Sequence, residues 1–161
     1  MPRTSTSKDI KFDRLLNKIK SDYPNITFSE GEDFSWNHSK SSISYNKKSK
    51  HATTDLLHEL GHIELDHISY SSDLSLLKKE LEAWEIAKNI AKKFNISISE
   101  NYINECIESY RLWIHKRSLC SKCFQNGLEI SEKKYKCINC DHRWQVSSAQ
   151  ESRVYRKSLA K

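Results

Sequence analysis

The chain has 161 residues, 37% of them hydrophobic and 30% charged, with a net charge of +6 and only 3 Gly and 2 Pro. That length holds one compact domain and a small appendage, and the scarcity of Gly and Pro argues against a β-sandwich or a low-complexity chain. No apolar run approaches the roughly 18 residues of a membrane helix. The start, Met1-Pro-Arg-Thr-Ser-Thr-Ser7, lacks the apolar stretch of a signal peptide, so the expectation is a cytoplasmic protein without membrane association.

The charge is uneven. Residues 1–110 carry 15 Lys/Arg against 17 Asp/Glu, a net of −2, and residues 111–161 carry 12 against 4, a net of +8. The basic end is therefore a candidate for nucleic acid.

Residues 1–7 are polar and expected to be loose. Ser7 caps a helix to about Tyr23, with Ile10, Leu15, Leu16 and Ile19 as its apolar face, and Pro24 stops it. Short alternation then predicts three strands, around Ile26 and Phe28, Phe34 and Trp36, and Ile43 and Tyr45. Together they make a small, mostly antiparallel sheet. Helices are predicted at about 51–68, 73–94 and 99–117, with Ser72 or Asp73 and Ser97 or Ser99 near their starts.

The first of these three helices holds His58-Glu59-Leu60-Gly61-His62 among Leu56, Leu57, Ile63 and Leu65. Residues i and i+4 share a helix face, so His58 and His62 can grip one Zn²⁺ at about 2.0–2.1 Å each. Glu59 is offset by about 100° around the axis. It reaches the edge of such a site, where a base that takes a proton from an attacking water belongs. Gly61 costs about 1 kcal/mol relative to Ala in a helix, which suggests another backbone packed against it.

Catalytic zinc usually has a third protein ligand. The extended pattern HExxHxxGxxH fails, because Leu65 and Ile68 stand where Gly and His are needed. On a continuous helix His67 falls off the ligand face. The segment "KKELEAWEIAKNIAKKF" offers Glu80, Glu82 and Glu85. Glu82, beside the small Ala83, is the chosen ligand; Glu85 is its rival, and Glu80 is read as an outer partner or solvent-facing.

"HELGHIELDH" followed about 13 residues later by "ELEAWEIA" resembles the ImmA/IrrE-type metallopeptidases, whose pattern is HELGHxxLxH and then ExEAxxxA. The resemblance covers roughly residues 40–95. It implies a gluzincin-like fold, zinc on His58, His62 and Glu82, and catalysis by Glu59. His67 is a motif position with no role assigned. It also implies a strand beside the cleft that pairs with an extended protein substrate, for which the strand at 43–45 is the candidate. Family members include proteases that cleave repressors. Trp84 stands where Asn is common in that pattern.

Four of the five cysteines form Cys120-x-x-Cys123 and Cys137-x-x-Cys140, with 13 residues between the pairs. Two such pairs enclose one tetrahedral Zn²⁺. The intervening residues read as a hairpin turning at Asn126-Gly127, so the unit is a zinc ribbon. Cys106 is left over as a small buried hydrophobe. The expected organisation is α+β: a peptidase core at 1–117, a ribbon at 118–146 and a basic polar tail at 147–161 with weak helical tendency. One zinc would be catalytic and one structural, in a zinc metallopeptidase acting on a protein substrate. Two alternatives stand beside it. A SprT-like DNA-associated protease also joins HExxH to a ribbon, typically with a histidine as third ligand. A non-catalytic zinc-containing regulator could bind DNA or a partner, but would not need Glu59.

Overall fold

The computed structural model describes residues 7–148 and 154–159. The expected loose start, the side chain of Ile10, and Arg153 lie outside the described residues. The architecture is α+β, with four α-helices and two small sheets among the described residues. None of these helices is long and apolar enough to cross a membrane. Contacts group the chain into two units, residues 1–68 with 82–99, and residues 69–81 with 100–161.

The first unit opens with α1 (Ser7–Asp22), which buries Phe12, Leu15, Leu16 and Ile19. β1 (Thr27–Glu30), β2 (Ser35–Asn37) and β3 (Ser42–Tyr45) follow. All three predicted strands are present, but the sheet is mixed. β3 pairs in parallel with β1 and antiparallel with β2, in the order β1-β3-β2. A 3₁₀ turn at His38–Lys40, with Ser41 at φ 45°, joins β2 to β3. Ile43 and Tyr45 point to the buried face of β3, and the Tyr45 ring packs 5.7 Å from Phe12 of α1. β3 is thus the central strand, with both edges paired. The expectation that 43–45 pairs with substrate is corrected on this ground: the open edges belong to β1 and β2.

α2 (Ala52–Glu64) buries Ala52, Leu56, Leu57, His58, Leu60 and Gly61. A β-carbon at Gly61 would run into the carbonyl of Ala83 on α3 (Asp73–Lys93) and lie 3.1 Å from its Cα. This is the close backbone approach that the helical glycine implied. α2 stops four residues short of the expected end. Asp66, at φ 50°, turns the chain; its N–H bonds the Ile63 carbonyl at 3.0 Å and the His67 N–H bonds the His62 carbonyl at 3.0 Å. These two bonds are the Schellman arrangement that ends helices at a left-handed residue. α3 ends the same way at Asn95, φ 54°.

The second unit joins the start of α3 and α4 (Glu100–Ser118) to a sheet of β4 (Gly127–Ser131), β5 (Lys134–Cys137), β6 (Arg143–Val146) and β7 (Arg156–Ser158), all antiparallel neighbours. Trp144 is fully buried between the rings of Tyr135 and His142, and its indole N–H bonds the Arg117 carbonyl at 2.9 Å. The Arg117 guanidinium makes a two-pronged pair with Asp73, at 2.6 Å and 3.1 Å, and the Tyr135 hydroxyl also donates to Asp73. The Glu129 carboxylate accepts from the Asp73 and Lys133 backbone N–H groups. The last turn of α4 and the first of α3 thus belong with the ribbon, whereas the expected division fell at 117.

Three expectations about this region change. The hairpin turns between Ser131 and Lys134, where Lys133 has φ 59°, and not at Asn126-Gly127. Gly127 instead lets Trp144 and the Lys136 backbone approach the strand closely. Among the described residues the tail contributes a strand, β7, and Cys106 is half-buried.

Candidate metal centres

The i,i+4 spacing on α2 brings the Nε2 atoms of His58 and His62 to 3.1 Å. Two nitrogens bound at about 2.05 Å to a tetrahedral ion stand about 3.3 Å apart, so the pair already converges as a metal requires. Glu80, buried on α3, completes the group: one carboxylate oxygen and one nitrogen from each ring lie within 4.8 Å of one another. Two His and one Glu are a donor set for zinc with a position left open. Glu59 is half-buried at the adjoining position of α2.

Glu82, the ligand chosen from the sequence, is not in this group. It lies farther along α3, and its carboxylate meets His67 Nε2 at 3.7 Å with its side chain 45% exposed. Glu85 is exposed and pairs with Lys88 at 2.7 Å. Glu80, read from the sequence as an outer partner, is thus the carboxylate that lies with His58 and His62, and Glu82 is not. On α3, positions 80 and 82 differ by about 200° around the axis, so only one of them can face His58 and His62. In sequence the burial of Glu80 carried no mark, since both acids sit among apolar residues.

His67 also has a place that a continuous helix would not give it. The turn at Asp66 folds the chain back, and His67 Nδ1 lies 2.9 Å from His62 Nδ1. The nitrogen of His62 that points away from His58 is thus held by His67, which in turn meets Glu82. Metal-binding imidazoles are commonly oriented through their other nitrogen in this way. Trp84 stacks on the His58 ring with centroids 4.1 Å apart and planes at 25°. Trp84 therefore supplies a flat wall against the other imidazole.

The second centre is built from two matching turns. Phe124 N–H bonds the Cys120 carbonyl at 3.0 Å, and Asp141 N–H bonds the Cys137 carbonyl at 3.1 Å. Phe124 and Asp141 each follow the second cysteine of a pair, with φ of 59° and 57°. All four sulfurs lie within 4.8 Å of one another, with Cys120–Cys140 at 3.6 Å and Cys123–Cys137 at 3.4 Å. Sulfurs at about 2.3 Å from a tetrahedral zinc are about 3.8 Å apart, so this set fits a closed structural site. Hydrogen bonds from the Gln125 backbone and then the Asn139 side chain bring the Cys123 thiol down to about 6. The Cys140 thiol moves the opposite way, up to about 12: its backbone bond to His142 lowers it, but burial and the neighbouring sulfurs outweigh that. Both groups can hold a metal ion, and the four-cysteine set is the one the sequence located residue for residue.

Compared with protein-family models, curated proteins and solved structures, the chain finds no match among them.

Proposed function

We propose that this chain is a zinc metallopeptidase of the ImmA/IrrE type, hydrolysing peptide bonds in a protein substrate. The observation that carries the reading is the convergence of His58 and His62 through Nε2 atoms 3.1 Å apart, with the buried Glu80 carboxylate beside them. These three side chains would hold zinc, which would supply Lewis acidity towards a peptide carbonyl and bring the pKa of a water towards about 7. Glu59, at the adjoining position of the same helix, accepts the proton of the attacking water and returns it to the departing amine. Trp84 and His67 keep the two imidazoles from rotating, so the ligands need little rearrangement on binding. An extended peptide would be received along an open edge of the sheet, that of β1 or β2, since the central β3 is paired on both sides.

Glu80 in the ligand group favours this reading over the SprT-like one, whose third ligand is typically a histidine. Glu59 favours it over a regulator that keeps zinc only for structure. A regulatory protein of the repressor type is the substrate suggested by the resemblance. The test is incubation of the zinc-loaded full chain with a peptide mixture derived from a bacterial proteome, read by mass spectrometry. Cleavage that stops on chelation and returns with zinc is the expected result; a digest indistinguishable from that of Glu59→Gln would overturn the assignment.

A further inference from the structure

Phe124 shares a left-handed backbone with Lys133 and Asp141 of the second unit but, unlike them, is apolar. It stands at φ 59°, a conformation that costs a bulky L-residue on the order of 1–2 kcal/mol and glycine nothing. Its ring is also 74% exposed. Neither packing nor turn geometry explains a phenylalanine there. It lines a shallow pocket of about 850 Å³ with Gln125, Asn126, His115, Ile138 and Asn139. An exposed flat ring beside carboxamides is the chemistry that stacks a planar base and offers hydrogen bonds to its edge.

The adjoining sheet supplies charge. Register places Leu128 opposite Lys136 and Lys136 opposite Arg143, while Lys134 faces Gln145 and Gln145 faces Lys157. The alternate residues Tyr135, Trp144 and Val146 are buried, so Lys134, Lys136, Arg143 and Lys157 share the solvent face. Neighbouring strands are about 4.8 Å apart, so these cations cross β5, β6 and β7 over about 10 Å. The acids nearby are Asp141, which pairs with Lys136 at 2.8 Å, and Glu132, which pairs with Lys133 at 3.2 Å. Both pairs are exposed and therefore weak, and a phosphate can displace either. Arg156 is on the other face and donates to the Lys116 carbonyl, so it is not part of this surface. At the far end, exposed Tyr155 lines a second recess with Gln145 and Lys157.

We infer that the solvent face of β5, β6 and β7 binds single-stranded nucleic acid, its phosphates on Lys134, Lys136, Arg143 and Lys157 and a base stacked on Phe124. A cationic face with exposed Tyr155 beside Lys157, in a unit that also exposes Phe124, matches a flexible strand whose bases are free to stack; a duplex hides those faces. An acidic protein would use the cations but has no need of the strained ring.

The test measures binding of the full chain to a fluorescent 15-nucleotide oligo(dT) at two salt concentrations, with a 15-base-pair duplex and polyglutamate as competitors. Phe124→Gly should weaken binding about tenfold. It should leave the salt dependence and metal content unchanged and leave thermal stability equal or higher, since glycine relieves the backbone. The double variant Lys136→Ala with Arg143→Ala should lower the slope of log K against log salt by about 1.4, at about 0.7 per phosphate contact on a single strand. Wild-type affinity in both variants, or polyglutamate competing as well as unlabelled oligo(dT), would overturn the inference, as would no binding at low salt. None of these readouts depends on peptidase activity.

Discussion

His67 Nδ1 lies 2.9 Å from His62 Nδ1 because one left-handed residue, Asp66, folds the chain back over the last turn of α2. The same His67 meets the Glu82 carboxylate through Nε2 at 3.7 Å. The Glu82 carboxylate and the imidazoles of His67 and His62 thus form one chain of polar contacts. It ties the end of α2 to α3 and fixes which nitrogen of His62 faces His58.

The assignment of the third ligand follows. Glu80→Ala should lose the α2 metal, whereas Glu82→Ala and His67→Ala should keep it with affinity reduced about 10–100-fold, as for outer partners of metal ligands. Competition with a chromophoric chelator measures this. Unchanged affinity in Glu80→Ala beside loss in Glu82→Ala would restore the choice made from sequence.

On the proposed reading, Glu59→Gln should keep the fold and both metals and remove the proton acceptor. Peptide hydrolysis should fall by about 10²–10⁴-fold, with metal content unchanged. Rates on a cleaved peptide, beside metal content by mass spectrometry, check both halves of the statement.

Gly61→Ala pits helix propensity against packing. Alanine gains about 1 kcal/mol within a helix, but its β-carbon meets the Ala83 backbone, which cannot swing aside. Overpacking of this kind costs about 1–3 kcal/mol, so the net effect should be a loss of stability and a weakened metal site. Denaturant unfolding of the variant measures it, and a stabilised protein would show that α3 can retreat.

Asp73 is buried with Arg117 and accepts from Tyr135. Asp73→Ala leaves a buried guanidinium without its carboxylate, for an expected loss of about 3–5 kcal/mol from the second unit. Burial, and then the hydrogen bond to Asp73, holds the Tyr135 hydroxyl well above its ordinary value of about 10. The folded state thus keeps a proton that the unfolded chain releases. This contribution is complete below about pH 10 and is lost as pH rises further. Tyr135→Phe should flatten that alkaline loss in a titration of unfolding free energy.

How much of this was legible in sequence depends on which residues carry their own mark. The CxxC pairs and HELGH do, because metal chemistry fixes both residue types and spacing. Gly61 did as well, since a helical glycine needs a reason. The end of α2 did not, because Asp66 takes the left-handed turn where glycine would have announced it. That hid the return of His67. The central position of β3 was hidden too, since alternation marks a strand but not its neighbours. Arg117 reads as one more cation near a helix end, and its burial depends on Asp73, 44 residues away.

The most direct measurement is the zinc content of the purified full chain, wild type beside Glu80→Ala and Cys137→Ser. Two zinc ions per chain in the wild type and one in each variant, with the thiolate set as the survivor in Glu80→Ala, is the result predicted here. A single zinc that persists in Glu80→Ala and disappears in Cys137→Ser would contradict a metal centre on His58, His62 and Glu80, and with it the proposed hydrolytic function.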